Sequence, residues 1–220
     1  MGITERRHRD KEKRLKFILE NAEELIKAEG FSSFTLSKLA EKIEFSRGII
    51  YYYFKNEENI IAKIIVDKMA KLIGRINNIP EQENGFKQIR EIIGEFLLFL
   101  IDEPHYLNLI TYFLAGKEVN SKKDSGQYFK EYEVMRDTIF LKCLNAVKNG
   151  IKDGSIYPEI DAHTMTYCIW ACIGSFWQYM MKDNLLKPGQ DPLNDKPDIY
   201  IKAFFEIFYR GLKNDKPGQV

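Results

Sequence analysis

Apolar residues recur along this chain at helical spacing in almost every segment, and nowhere do they alternate as a half-buried strand would require. Leu15, Ile18, Leu19, Ala22 and Ile26 predict a first helix, which Gly30 ends. Leu36, Leu39, Ala40 and Ile43 then repeat at i, i+3, i+4, i+7, leaving Ser37, Lys38, Glu41 and Lys42 off the apolar face. Thr35 stands where an N-cap hydroxyl belongs. Ser46 repeats that signal a few residues later, so the next helix is predicted to start near Arg47. In that third helix Ile50 and Phe54 share one face, with Ile49 and Tyr53 beside them. The result is a three-helix head whose second and third helices are joined by a tight turn.

The remaining pattern is also helical. Asn56 caps a longer helix that opens with Glu57 and Glu58, two acids placed at the positive end of the helix dipole. Its apolar set, Ile60, Ile61, Ile64, Ile65, Met69, Leu72 and Ile73, runs to about Ile76. At ~1.5 Å per residue such a rod spans ~30 Å and can carry a displacement between two parts of the molecule. Helices follow over 86–101, from Pro104 to Gly116, over 128–152, from Asp161 onward, and over 199–212, with polar loops at 117–125 and 187–198. Residues 162–181 hold twenty consecutive positions without Asp, Glu, Lys or Arg. His163, Thr164, Thr166, Ser175 and Gln178 interrupt that run, so it predicts a helix buried on nearly every side and not a membrane span. In the last helix Ile201, Phe204, Phe205, Phe208 and Leu212 form one stripe, while Ile199, Ala203 and Ile207 extend a second. Two apolar faces need two partners: the subunit's own core and the same helices of a second copy, which predicts a homodimer with Phe204 and Phe208 at its interface.

The outward side of the third helix changes the picture from fold to function. Arg47, Gly48, Tyr51, Tyr52 and Lys55 line it. A guanidinium can fork onto guanine or phosphate, tyrosine hydroxyls and an ammonium reach phosphate oxygens, and the glycine leaves room for close approach. A DNA-reading helix in the major groove fits this set, and an aromatic-rich core helix is the plainer alternative. Overall charge does not decide between them, since 33 Lys plus Arg face 32 Asp plus Glu. Any charge for DNA must therefore be local. The first sixteen residues supply it, with seven basic side chains from Arg6 to Lys16 against three acidic ones, an arm suited to phosphates or the minor groove.

Thr35, Leu39-Ala40, Ser46-Arg47-Gly48, Tyr51-Tyr52-Tyr53-Phe54-Lys55-Asn56 and Glu57-Glu58, in that order, resemble the DNA-binding end of the TetR family of transcriptional regulators. The likeness covers roughly residues 14–60. It implies an all-α protein: a three-helix head with a helix-turn-helix over 1–56, and a larger helical ligand-binding and dimerisation body over 57–220. It further implies that Thr35, Ser46, Arg47, Gly48, Ile49, Tyr51, Tyr52, Tyr53 and Lys55 stand at DNA-facing positions. Two positions depart from the pattern. Ile49 replaces a small or hydroxylated residue, and Glu57 replaces a lysine that faces a phosphate.

The body's aromatics, Phe96, Phe99, Tyr112, Phe113, Phe140, Tyr167, Trp170 and Trp177, would line an apolar ligand pocket if they are more than core, with His105 or Gln178 as polar anchors. Cys143, Cys168 and Cys172 are an odd count without a second cluster, so reduced cytoplasmic thiols are predicted and no metal site. No phosphate-binding loop, nucleophile elbow or zinc-binding helix motif is present, and there are only three histidines. No catalytic residue and no cofactor are predicted. The reading is a cytoplasmic homodimeric repressor that binds a palindromic double-stranded DNA operator and is released by a small apolar or aromatic effector, with no membrane partner. A helical hydrophobe-binding carrier is the rival.

Overall fold

The structure is a computed structural model that describes residues 3–119, 127–182 and 197–214. The described residues form nine α-helices: α1 (Ile3–Glu29), α2 (Leu36–Lys42), α3 (Arg47–Tyr53), α4 (Glu57–Asn77), α5 (Gly85–Asp102), α6 (Tyr106–Val119), α7 (Gln127–Lys152), α8 (Ala162–Lys182) and α9 (Pro197–Leu212). A single 3-10 turn, Phe31–Ser33, follows α1. Among these residues extended pairing is limited to one isolated antiparallel bridge, Ile156 with Lys213. The loops expected at 117–125 and 187–198 fall largely outside the described residues. α6 continues to Val119 and α9 begins at Pro197, ahead of the expected start.

The chain divides into two compact units, and the division runs through helices. The first holds residues 1–70 and 108–134, the second residues 71–107 and 135–220. The N-terminal two-thirds of α4 therefore packs with the head, whereas the sequence places the boundary at its start.

In the first unit the expected apolar residues form the core: Ile18, Ala22, Leu36, Leu39, Ala40, Ile50, Phe54, Ile60 and Ile65 are all buried. The basic arm is not a separate tail. It is the first half of a continuous α1 that starts at Ile3. Gly30 ends α1 at φ 81, a left-handed backbone where a side chain would be strained. α4 is tied to α1 through Lys68, which is buried and pairs at 2.9 Å with Glu23, itself 2.7 Å from Lys27. Burial pushes the Glu23 carboxyl up, but hydrogen bonds and charge from Lys27 and Lys68 outweigh it and hold the group below its ordinary range.

In the second unit α5 and α7 meet at a close crossing. A Cβ at Gly85 would lie 2.0 Å from the Gly150 nitrogen, so only glycine fits. The start of α5 is fastened there as well. Gly85 N donates to Asp153 Oδ2 at 2.8 Å, Phe86 N to Ser155 Oγ at 3.1 Å, and Lys87 N to Asn84 Oδ1 at 2.9 Å. α8 buries Met165, Thr166, Ile169, Ile173, Trp177 and Met180. Its other side, with Tyr167, Cys168, Ala171, Cys172, Ser175 and Tyr179, is exposed in the single chain. The helix is thus not buried on nearly every side: absence of charge does not imply enclosure by the chain's own core. α9 buries Phe205 and Leu212, leaves Phe204 and Phe208 half-buried, and exposes Ala203 and Ile207.

Candidate nucleic-acid interface

The reading face is built outward from three caps and one turn. Thr35 is the N-cap of α2, and its hydroxyl oxygen accepts from Lys38 N at 3.2 Å. The hydroxyl proton is left free to donate outward. A second acceptor reaches the same helix end, because Leu36 N donates to Glu57 Oε1 at 3.0 Å. At its other end α2 stops in a left-handed residue, Glu44 at φ 55, with Phe45 N donating to Ala40 O at 3.0 Å and Glu44 N to Glu41 O at 3.2 Å. These are the paired bonds of a Schellman stop, with glutamate where glycine is usual. Phe45 then packs against Phe17 of α1 at 5.9 Å, fixing the turn that aims α3.

α3 begins at Arg47 with Ser46 as its N-cap, although the Ser46 side chain makes no capping bond. Ile50 and Phe54 are fully buried, Ile49 and Tyr53 are half-buried, and Ser46, Arg47 and Gly48 are exposed. The helix is shorter than the periodicity predicts: it ends at Tyr53 with Phe54 extended, so Lys55, also exposed, lies in the bend beyond α3 and not on its outer face. Tyr51 and Tyr52 are 55% and 72% exposed, an unusual position for two large rings in an isolated head. Tyr52 lies edge-on to Tyr53 at 5.2 Å and under the Lys11 ammonium at 5.6 Å, which brings α1 to the same face. Among the described residues neither Arg47 nor Lys55 pairs with a carboxylate. Gly48 is not demanded by packing: a Cβ there would meet only Ser46 Oγ at an ordinary 3.9 Å. Asn56 Oδ1 accepts from Asn59 N at 2.9 Å and so caps α4.

Chemically the face offers two free cations, exposed hydroxyls at Thr35, Ser46, Tyr51 and Tyr52, and a gap at Gly48. A model of bacterial regulatory proteins of the tetR family matches residues 18–64, which span α2, the turn and α3. Residues 18–64 are a TetR-family DNA-binding head. The chain is a transcriptional regulator with a DNA-binding helix-turn-helix head.

Relatives extend beyond the TetR head. The chain is 26% identical over 167 residues to the fatty acid metabolism regulator protein of Bacillus subtilis, spanning 74% of this chain and 82% of that protein. Its fold is similar to that of the transcriptional regulator FadR from Bacillus subtilis, solved in complex with stearoyl-CoA. The TM-score there is 0.65 at 20% identity, covering 88% of this chain and 97% of that one. A regulatory protein of the tetR family from Rhodococcus RHA1 gives 0.69 at 14% identity, covering 92% and 98%. These relatives are regulators and not enzymes, and no described helix is long and apolar enough to cross a membrane.

The aromatics singled out for a pocket divide between the two units. In the first, Tyr112 is exposed and stacks on Phe31 at 4.4 Å, and Phe113 is buried edge-on to Tyr132 at 5.9 Å. In the second, Phe96 meets Trp170 edge-on at 4.9 Å, and Phe99 meets Tyr106 in the same way at 4.9 Å. Phe140 packs with Tyr167 at 4.8 Å and His163 at 5.2 Å, and Trp177 Nε1 donates to Pro104 O at 3.4 Å. Tyr167 lies off the buried stripe of α8 and is exposed. His105 and Gln178, the expected polar anchors, are also exposed. Sequence reasoning missed two polar features. Glu57 reaches α2 across twenty-one residues, and the Trp170 Nε1 is buried with no described hydrogen-bond partner.

Proposed function

We propose that the chain is a homodimeric repressor that binds a palindromic operator through two copies of α3 and is released by an effector carrying a long apolar chain. The observation that carries the DNA half is the split in α3 and the residues just after it: Ile50 and the C-cap Phe54 are locked into the core, while Arg47, Gly48, Tyr51 and Tyr52 of α3 are exposed, as is Lys55 in the bend that follows. Within this reading Arg47 forks onto a base edge, and Thr35, Ser46, Tyr51, Tyr52 and Lys55 hold phosphates that set the register. Ile49 and Tyr53 pack at the margin of the groove. Residues 1–56 act as the DNA-binding domain, and 57–220 carry effector binding and dimerisation.

The uncharged exposed side of α8 and the exposed Ala203 and Ile207 of α9 support a two-fold contact with a second copy. Half-sites spaced by about one helical turn, ~34 Å, follow from such a dimer. The effector class rests on the similarity to the Bacillus subtilis fatty acid metabolism regulator and to FadR, crystallised with stearoyl-CoA. α4, continuous from Glu57 to Asn77, carries the signal. A coupling of ~1–3 kcal/mol between effector and operator is expected. A protein with this role works in the cytoplasm, where its operator is.

The test is to footprint the protein on palindromes upstream of its own gene and measure affinity at several salt concentrations, with and without stearoyl-CoA. A steep salt slope and a weakening by the acyl-CoA are expected. Binding of the acyl-CoA with no retention on DNA at moderate salt would favour the carrier reading instead.

A further inference from the structure

Ile49 is the third residue of α3, directly after Gly48 and one turn before Tyr53. It is half-buried, although the inward side of this short helix is already supplied by Ile50 at 0% and the C-cap Phe54 at 1% exposure. Part of an aliphatic side chain is therefore left in water, between the buried side of α3 and the exposed Gly48 and Tyr52. Gly48 adds no side chain, so a duplex can approach the α3 backbone closely enough for a side chain as short as Ile49 to reach a base edge. Tyr53, its neighbour at i+4, differs in having a hydroxyl to offer and a ring edge-on to Tyr52 at 5.2 Å. Isoleucine has only hydrocarbon. It neither donates nor accepts a hydrogen bond, so phosphate oxygens and polar base edges gain nothing from it and lose water to it. On the major-groove edges of the four bases one apolar group is present, the 5-methyl of thymine.

We infer that Ile49 is a specificity-determining residue that reads the 5-methyl group of one thymine in each operator half-site. This rests on the DNA-binding reading given above and deepens it. Arg47 lies two residues earlier, about 200° around the helix, so the two side chains address different base pairs. Their selectivities differ in kind. A guanidinium discriminates by hydrogen bonds to a base edge, whereas Ile49 discriminates only by burying a methyl that the other bases lack. Packing against the groove wall alone would accept any base.

The experiment lets the full-length protein select its site from a pool of random duplexes, then replaces each thymine of the selected duplex in turn by deoxyuridine. That change removes the 5-methyl and leaves the base pairing as it was. With the wild type, one symmetry-related pair of replacements is expected to weaken binding about threefold to fivefold per half-site, the size of one buried methyl contact. Ile49→Ala should bind the thymine duplex more weakly by a similar factor and bind the thymine and deoxyuridine duplexes equally at that pair. A wild type indifferent to deoxyuridine at every position overturns the inference. So does a methyl preference that Ile49→Ala retains in full, because the methyl would then be read by another side chain. If Ile49→Ala does not fold, Ile49→Val takes its place: the preference should shrink, and an unchanged preference overturns the inference. The two levels of failure are distinguishable. A selected site with no methyl dependence sinks the role of Ile49 alone, whereas selection of no site from the pool sinks the DNA-binding reading together with it.

Discussion

α3 and α8 each turn outward a face that an isolated chain would not be expected to expose, and the two faces differ in one respect. That of α3 carries Arg47 beside its tyrosines, with Lys55 just past the helix end and Lys11 alongside. That of α8 carries Tyr167, Cys168, Ala171, Cys172, Ser175 and Tyr179 and no charge at all. Rings and hydroxyls are common to both, so aromatic exposure alone does not identify a partner. Charge does. Unpaired cations suit a polyanion that brings displaceable counterions, whereas an uncharged surface is suited to a copy of itself, because a two-fold axis places like groups near one another.

The largest expected effect breaks the two-fold contact proposed for α8 and α9. Ile207, 74% exposed, makes little contribution to the fold of one chain, so Ile207→Asp should leave folding intact. A carboxylate buried without a partner in each subunit costs about 3–5 kcal/mol, and sedimentation should then show monomers with operator binding largely lost. Phe205→Asp, at a buried position, should unfold the chain instead. Phe204 and Phe208 discriminate less well, because they are half-buried and Phe204 stacks on Phe176 at 4.0 Å. A wild type that sediments as a folded monomer at micromolar concentration would remove the distinction between the two faces.

The next effect separates roles within the charged face. Arg47→Ala should cost roughly 1–3 kcal/mol on the preferred operator and relax discrimination there. Lys55→Ala should weaken specific and random DNA alike and lower the salt slope by ~0.9 per lost phosphate contact. Titrations of both variants on both DNAs check this, and matching losses would leave no division of labour on α3.

How far these faces were legible from sequence depends on how local their causes are. The outward set of α3 follows from seven residues of periodicity, and the caps at Thr35 and Asn56 follow from residue type and position. Both are short-range effects. The enclosure predicted for α8 failed because a run without charge is equally consistent with a core and with a surface awaiting a partner. Spacing alone places Tyr112 among the body aromatics, and its stacking on Phe31, some eighty residues away in the chain, is a tertiary contact that spacing does not announce. Glu57 was read for its own helix end and for a phosphate. Its carboxylate in fact accepts from Leu36 N of α2, a tertiary bond that no local pattern announces.

That bond sets the third expectation. Glu57→Ala removes an acceptor from the start of α2 and should destabilise the head by about 1 kcal/mol, as loss of a cap does. Glu57→Lys carries the same loss and adds a cation near the DNA face, so thermal unfolding should drop while the operator salt slope steepens by ~0.9 per new phosphate contact. A lysine variant of unchanged stability would show that the Leu36 bond is not formed in solution.

The smallest effect is one of pH. Glu23 has its pKa lowered by Lys27 and Lys68 against the opposing influence of burial, so its contribution is fully present above the ordinary glutamate range. It is lost as pH falls through the depressed value, when the carboxyl takes up a proton and its charge attraction to Lys27 and Lys68 disappears. Urea unfolding followed down from pH 6 should therefore show declining stability, and Glu23→Gln should show a shallower decline.

The three cysteines divide in the same way as the surfaces they occupy. Cys143 is buried and its thiol is pushed up to about 12, so at neutral pH it is almost entirely protonated and closed to alkylating reagents. Cys168 and Cys172 lie exposed one helical turn apart on the uncharged side of α8. The natural chain therefore carries two built-in labelling sites on one face and a silent internal control. The mass of the protein after a brief maleimide pulse counts adducts per chain, and that count reports whether the face is open or covered without any engineered cysteine.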